Sequence, residues 1–142
     1  MSIENPSAPG MVEVCAVADL APERGCAALV AGRQVALFLL EDGTVHAVQQ
    51  RDPYSGANVL SRGLVGSHAL PAPPGEEPRV VSTLSSPMYK QVWDLGTGAV
   101  LDAGGGQLLP IAVHDAEVRA GRVLVSVQPR PLVEAEEPEE DA

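Results

Sequence analysis

The sequence predicts an all-β domain, built as a sandwich or a small barrel. Short runs rich in Val, Leu and Thr recur along its 142 residues, turn-forming residues separate them, and one run is apolar without interruption. The predicted strands are residues 12–17, 27–30, 34–40, 44–49, 80–83, 89–93 and 122–127.

Glycine-containing turns set the order of the strands. Residues 31–33 (Ala-Gly-Arg) and 41–43 (Glu-Asp-Gly) each supply a glycine where a tight hairpin needs a positive φ angle. We therefore expect the second, third and fourth strands to form a meander. Residues 110–120 lead through Ala120-Gly121 into the last strand, which predicts another hairpin.

The run at residues 35–40 (Val-Ala-Leu-Phe-Leu-Leu) is continuously apolar, which is typical of a strand buried on both faces. We expect it to be the central strand. A helix over residues 27–40 is the alternative, but Gly32 interrupts the helical pattern.

One domain is expected between two polar ends. Residues 1–11 and the acidic tail at 128–142 have too little apolar surface to offset the entropy of ordering, so both are predicted to be disordered around a domain at 12–127. Residues 67–78 hold four prolines and predict a solvated, extended loop. A polyproline ligand for a partner domain is the less favoured function of that segment.

The charge distribution excludes some partners. The formal net charge is −10, and residues 129–142 hold six acids against one arginine, which leaves 13 acids and 8 bases in the rest of the chain. No basic stripe is present for phosphate contacts, so nucleic-acid binding is not expected. No signal-peptide pattern or membrane-spanning run is visible, and we expect a cytoplasmic protein without membrane contact.

The cysteines and histidines do not form a recognisable site in sequence. Cys15 and Cys26 are 11 residues apart, which matches neither a redox pair nor half of a zinc site, and both are predicted to be reduced packing residues, with a regulatory disulfide as the alternative. The three histidines are expected to have structural or surface positions, and a triad of Ser86, His46 and Asp52 is disfavoured because no nucleophile elbow accompanies it. Glycines 104–106 indicate a flexible turn rather than a phosphate loop.

Two segments carry the most specific pattern in the chain. Residues 52–60 read Asp-Pro-Tyr-Ser-Gly-Ala-Asn-Val-Leu and follow a predicted strand, and residues 86–98 read Ser-Pro-Met-Tyr-Lys-Gln-Val-Trp-Asp-Leu-Gly-Thr-Gly. They resemble the paired cluster-binding loops of Rieske iron–sulfur domains, Cys-Pro-His and Cys-Pro-x-His. The resemblance assigns the four ligand positions to Asp52, Tyr54, Ser86 and Tyr89. A Rieske cluster needs two thiolates and two imidazoles, and none of these residues supplies either.

The amino-acid sequences of both loops are similar to those of the small subunits of assimilatory NAD(P)H-dependent nitrite reductase. That resemblance implies a Rieske-like fold without a cluster, in which loops 51–66 and 84–98 form a degenerate cluster-binding tip. It further implies a non-catalytic subunit that holds no metal or cofactor of its own and docks on a large subunit carrying FAD, an iron–sulfur cluster and sirohaem. The residues expected to contact that partner are Asn58, Arg62, Tyr89, Lys90 and Gln91.

Other functions stay open at this point. An autonomous electron carrier with unusual metal ligation would need donors beyond the single carboxylate of Asp52. A stand-alone β-sandwich binding module is also compatible, because a fold does not determine a function. For the tip itself, the two tyrosines at the former histidine positions, Tyr54 and Tyr89, predict an aromatic plug in place of the cofactor.

Overall fold

Two antiparallel sheets make up the protein in the computed structural model, which describes residues 10–88 and 90–133. Short 3₁₀ turns lie at Val17–Asp19 and Leu60–Arg62. The strands are β1 (Met11–Ala16), β2 (Gly25–Val30), β3 (Arg33–Leu39), β4 (Val45–Gln49), β5 (Leu64–Leu70), β6 (Arg79–Ser85), β7 (Val92–Asp94), β8 (Val100–Asp102), β9 (Val113–Arg119) and β10 (Arg122–Pro129).

The strand order separates a six-stranded sheet from a smaller one. The large sheet runs β1-β10-β9-β4-β3-β2 and the small sheet runs β5-β6-β7-β8. The small sheet and the loops around it therefore form one unit, placed between β4 and β9 along the chain. This insertion carries both of the loops that make the tip.

The hairpins predicted from glycine turns are confirmed. Between β2 and β3, Ala31 and Gly32 have φ angles of 51° and 81°, and between β9 and β10, Ala120 and Gly121 have φ angles of 51° and 76°. Two consecutive positive φ angles are what a two-residue hairpin loop of type I′ requires. The β2-β3-β4 meander follows from the turn at Ala31-Gly32 and from a further turn at Gly43.

Strand β3 is buried on both faces, as its apolar run predicts. Val35, Leu37 and Leu39 point into one core with Val123 and Val125 of β10. The alternate residues of β3 point into a second core, which lies against the small sheet and contains Ala36, Phe38, Leu40, Leu60, Leu84, Trp93 and Ile111. β3 is the middle strand of the meander, but in the complete sheet it lies one strand in from the edge.

The Pro-rich segment is shorter than expected. β5 continues to Leu70 and β6 begins at Arg79, so only residues 71–78 connect the strands. The prediction of a loop over 67–78 is wrong for residues 67–70. Most side chains of β5 are exposed, and the hydrogen bonds to β6, with Leu70 opposite Arg79, hold it as a strand despite its weak apolar pattern.

The chain ends also differ from expectation. β10 extends through Pro129, and the Arg130 N–H donates to the Val113 carbonyl at 2.8 Å, so the ordered domain passes the predicted boundary at residue 127. At the other end, Met11 already pairs with Ser126. The remainder of both predicted disordered segments, residues 1–9 and 134–142, lies outside the described residues.

The two cysteines occupy different environments. Cys15 on β1 is half-buried and packs against the core formed with β10, whereas Cys26 on β2 is exposed. Burial, followed by the neighbouring Cys26, raises the pKa of the Cys15 thiol. The predicted packing role holds for Cys15 and is wrong for Cys26. No helix within the described ranges is long and apolar enough to cross a membrane.

Candidate functional site

Asp52 organises the first loop of the tip from a completely buried position. Its Oδ1 accepts hydrogen bonds from the backbone N–H of Tyr54 at 2.8 Å and of Ser55 at 3.4 Å. Its backbone N–H donates to Ala57 at 2.8 Å and its carbonyl accepts from Gly56 at 2.7 Å. An aspartate that bonds the amides following it closes a tight turn without help from a metal.

Ser86 has the corresponding place in the second loop. It is 2% exposed, its N–H donates to the Gln91 carbonyl at 2.8 Å, and its Oγ accepts from the Met88 N–H at 3.0 Å. The Ser86 hydroxyl also donates to Asp52 Oδ2 at 2.6 Å. This Asp52–Ser86 hydrogen bond joins the two loops at the two positions that the resemblance assigned to cysteine.

Tyr54 turns toward the segment that precedes β9. Its hydroxyl donates to the Gln107 carbonyl at 2.6 Å and accepts from the Leu109 N–H at 2.9 Å, and its ring lies 5.9 Å from that of Trp93 at an angle of 42°. The Trp93 indole N–H donates to the Leu109 carbonyl at 2.9 Å. Tyr54 and Trp93 therefore both bind the backbone of residues 107–109 and hold this segment against the tip. The aromatic plug with Tyr89 stays a prediction, since Tyr89 lies outside the described residues.

The end of the second loop is a turn built on Asp94 and Gly98. Asp94 Oδ1 accepts from the N–H of Gly96 at 2.8 Å and of Thr97 at 3.3 Å. Gly98 has a φ angle of 83°, and a side chain there would overlap the carbonyl oxygen of Ile111. This close approach explains a glycine at the end of the Trp-Asp-Leu-Gly-Thr-Gly segment.

Two glutamines that the sequence pattern did not single out hold the first loop through side-chain hydrogen bonds to backbone groups. Gln50 is buried, and its Oε1 accepts from the Ser61 N–H at 2.8 Å. Gln49 Oε1 accepts from Ala112 at 2.7 Å and its Nε2 donates to the Arg51 carbonyl at 2.7 Å. The signal available in the sequence was a pair of polar residues at the end of an otherwise apolar strand.

The expected partner-contact residues do not all reach the surface. Asn58, Arg62 and Lys90 are exposed on the tip, and Lys90 has a φ angle of 67°. Gln91 is only 7% exposed, and its Oε1 has no hydrogen-bond partner within the described part of the chain. Gln91 is therefore buried, and the expectation of a surface contact there is wrong. Tyr89 lies outside the described residues.

The histidines do not complete a catalytic arrangement with Ser86. His46 Nε2 contacts Thr44 Oγ1 at 3.2 Å, and His114 Nδ1 donates to the Ser126 carbonyl at 2.8 Å. Ser86 bonds Asp52 directly, without an imidazole between them. Partial burial lowers the pKa of His46, and the neighbouring Asp42 and Asp94 act in the opposite direction.

The donor set does not fit an iron–sulfur cluster. The described ligand positions hold a carboxylate, a phenol and a hydroxyl, and all three are bonded to each other or to backbone groups. The two cysteines lie on β1 and β2 of the large sheet rather than on the tip. Residues 10–88 and 90–133 contain no group of three or more His, Cys, Asp or Glu side chains placed to hold a metal ion. Cluster assembly requires thiolates that this tip does not offer.

The comparison with known proteins agrees with this architecture. A family model described as a Rieske-like [2Fe-2S] domain matches residues 10–126. The small subunit of NADH nitrite reductase from Salmonella typhimurium is 32% identical over 111 residues, which cover 78% of this chain and 91% of that protein. A crystal structure described as an NADH-dependent nitrite reductase small subunit of Mycobacterium tuberculosis is 38% identical, has a TM-score of 0.66, and is matched over 87% of this chain and 96% of its own.

A further relative is a much larger protein. The large subunit of nitrite reductase [NAD(P)H] from Klebsiella oxytoca is 37% identical over 111 residues, which cover 76% of this chain but span only 10% of that protein. The chain belongs to the Rieske-like domain family and, within it, to the family of nitrite reductase small subunits.

Proposed function

We propose that this chain is the small, non-catalytic subunit of an NAD(P)H-dependent nitrite reductase, which reduces nitrite to ammonia in nitrate assimilation. Its role is to dock on the large subunit and support it. The similarity to small subunits named for this enzyme supports the proposal. The Klebsiella large subunit supports it further, because a segment similar to this chain lies within the same polypeptide as the rest of that subunit.

The observation that carries the proposal is the Asp52–Ser86 hydrogen bond. In a cluster-binding domain the two loops are joined through the metal centre, whereas here two side chains join them. A tip that stays assembled without its cofactor keeps a defined surface. Asn58, Arg62, Lys90 and the 46% exposed Met88 provide polar, charged and apolar groups on that surface.

The chemistry is assigned to the partner in this proposal. FAD, an iron–sulfur cluster and sirohaem would reside in the large subunit, as the resemblance to nitrite reductase implies, and the tip of this chain lacks the thiolate and imidazole donors for a cluster of its own. The complex would work in the cytoplasm, where NAD(P)H is available as the reductant. The small subunit would affect the folding, the cofactor retention or the electron routing of the large subunit through contact alone.

The test is co-purification with the large subunit from the same organism, followed by nitrite-dependent oxidation of NAD(P)H with and without this chain. The tip variants are Arg62→Glu, Tyr89→Ala and Lys90→Glu. We expect them to weaken association because charge reversal or truncation at an interface lowers affinity. Arg79→Glu, an exposed arginine on β6 outside the tip, is the matched control and should bind as the wild type does.

Two results would contradict the proposal. The large subunit could fail to bind the wild-type chain and could work equally well without it. Alternatively, the purified chain could show visible absorption with stoichiometric iron and labile sulfide, which would identify an autonomous electron carrier.

A further inference from the structure

A polar cleft lies beside the tip, at the end of the large sheet. It has a volume of about 460 Å³. Its walls come from the β2–β3 turn, the end of β4, the first loop and β9, which contribute Arg33, Gln34, Arg51, Asn58, Ala112 and His114 among others. Arg51 and Asn58 face each other across an isolated bridge, so the cleft is continuous with the first loop of the tip.

The charge of this cleft is opposite to that of the rest of the protein. Among the described residues, no aspartate or glutamate lines it, although the whole chain has a net charge of −10. Two other clefts, at the β3–β4 turn, are lined by acids: one by Glu23, Glu41 and Asp42, and the other by Glu41. The cleft beside the tip is therefore a local basic site on an acidic protein.

Both arginines in the cleft lack an acidic partner within the described ranges. The ion pairs of the described residues involve three other arginines: Arg119, Arg122 and Arg130. Arg33 is exposed at the start of β3, and Arg51 Nε makes only a long contact of 3.4 Å with the Gly56 carbonyl. A guanidinium group with free donors binds a carboxylate in a bidentate geometry.

The lining also indicates the size and kind of ligand. Seven of the ten residues that line this cleft are arginine, glutamine, asparagine or histidine, so it offers hydrogen-bonding groups from several elements. A wide polar cleft that continues an interface is suited to a protruding polar segment of the partner. Charge complementarity then selects an acidic segment.

We infer that the cleft between Arg33 and Arg51 receives a carboxylate-bearing, acidic loop of the large subunit. This inference rests on the proposed function and extends the contact surface beyond the tip. The arginines orient the partner by pairing with its carboxylates, and the Asn58 amide supplies a donor between the cleft and the tip. The acidic clefts at the β3–β4 turn repel such a loop, so it binds more favourably between Arg33 and Arg51 than in those clefts.

The test measures the Kd of the complex between the purified large subunit and this chain, as wild type and as the Arg33→Glu, Arg51→Glu and double variants. Each Kd is measured at about 0.05 M and about 0.5 M NaCl. The double variant should raise Kd by about tenfold or more at low salt, and the difference should shrink at high salt because exposed charges are screened. Arg79→Glu carries the same charge change outside the cleft and should leave Kd near that of the wild type.

The outcomes separate the inference from the proposed function. If the wild-type chain does not bind, the proposed function fails and the inference fails with it. If the wild type binds and the double variant or Arg33→Gln/Arg51→Gln binds equally well, only the inference is overturned. An equal loss in Arg79→Glu, or saturable binding of inorganic phosphate alone at Arg33 and Arg51, would also overturn it. Thermal melting of each variant confirms that it is folded.

Discussion

Single side chains at the tip perform the task that metal ligands perform in a cluster-binding domain. Asp52 accepts hydrogen bonds from two backbone amides and from Ser86, and Tyr54 both donates to and accepts from residues 107–109. The two amide bonds to Asp52 are local, but the Asp52–Ser86 bond and both bonds of the Tyr54 hydroxyl connect segments that are far apart in sequence. Their loss would therefore loosen the tip as a whole rather than one turn.

Tyr54→Phe tests the contribution of the phenol. The substitution keeps the ring beside Trp93 but leaves the Gln107 carbonyl and the Leu109 N–H without their partner. We expect the free energy of unfolding to fall by about 1–2 kcal/mol. Tyr54→Ala removes the ring as well and should cost about 3 kcal/mol or more.

Urea unfolding of both variants provides the measurement. Identical stabilities of the wild type and Tyr54→Phe would show that the hydroxyl does not hold the 107–109 segment. Ser67→Ala, an exposed position on β5, is the control for a lost hydroxyl without these contacts.

The positions of the site residues were predictable from the sequence, but their contacts were not. The spacing around Asp52 and Ser86 marks the two loops, because the Pro and Gly residues beside them keep the pattern of a cluster-binding tip. The partners of Tyr54 lie 53 and 55 residues further along the chain. Local patterns contain no information about such distant pairs, and the same reason explains the wrong expectation for Gln91.

At the level of elements, close backbone contacts fix how the second loop returns to the large sheet. Gly98 approaches the Ile111 carbonyl and its N–H donates to Asp94 at 2.7 Å, while the Ile111 N–H donates to the Gly98 carbonyl at 3.0 Å. These bonds tie the end of the second loop to the residues that lead into β9. The turn therefore couples the small sheet to the large sheet.

Gly98→Ala tests this coupling. An added methyl group meets both a left-handed φ angle and the Ile111 carbonyl, so we expect a loss of about 3 kcal/mol or more in the free energy of unfolding. Gly104→Ala is the matched control, because Gly104 also has a positive φ of 65° but nothing lies within 4 Å of the added carbon. The control should cost about 1–2 kcal/mol.

Denaturant unfolding compares the two glycine variants. Equal losses in both would show that backbone strain alone matters and that Gly98 does not make a tight contact.

Elements were predictable where the local chemistry determines them. The Ala31-Gly32 and Ala120-Gly121 turns predict their hairpins because each places a glycine where the loop needs a positive φ angle, although the positive φ angles of the alanines were not predictable. Strand β5 was missed because its side chains are largely exposed and it is held by backbone pairing with β6. The separation into two sheets also depends on contacts between distant strands, which no local pattern specifies.

At the level of the whole molecule, the histidine on β4 links stability to pH. Burial holds the pKa of His46 below its ordinary value of 6.5. As the pH falls through 6.5, the unfolded chain therefore takes up this proton before the folded chain does. The free energy of unfolding should decrease from above pH 6.5 down to the lowered pKa of the folded protein.

Comparison with His46→Gln isolates this effect. Urea unfolding at about pH 8 and about pH 5.5 should show a smaller decrease for the variant than for the wild type, because the variant lacks the titrating group. His68→Gln, at an exposed site on β5, is the matched control. A wild-type decrease that His46→Gln leaves unchanged would assign the pH dependence to other groups.

The central claim is that the Asp52–Ser86 hydrogen bond joins the two loops where a cluster would otherwise join them. The most direct measurement is a double-mutant cycle of unfolding free energies with Asp52→Ala, Ser86→Ala and the double variant. The account predicts a coupling energy of about 1–3 kcal/mol between the two positions. Losses that add within about 0.5 kcal/mol would show that the two side chains do not stabilise each other and would contradict it.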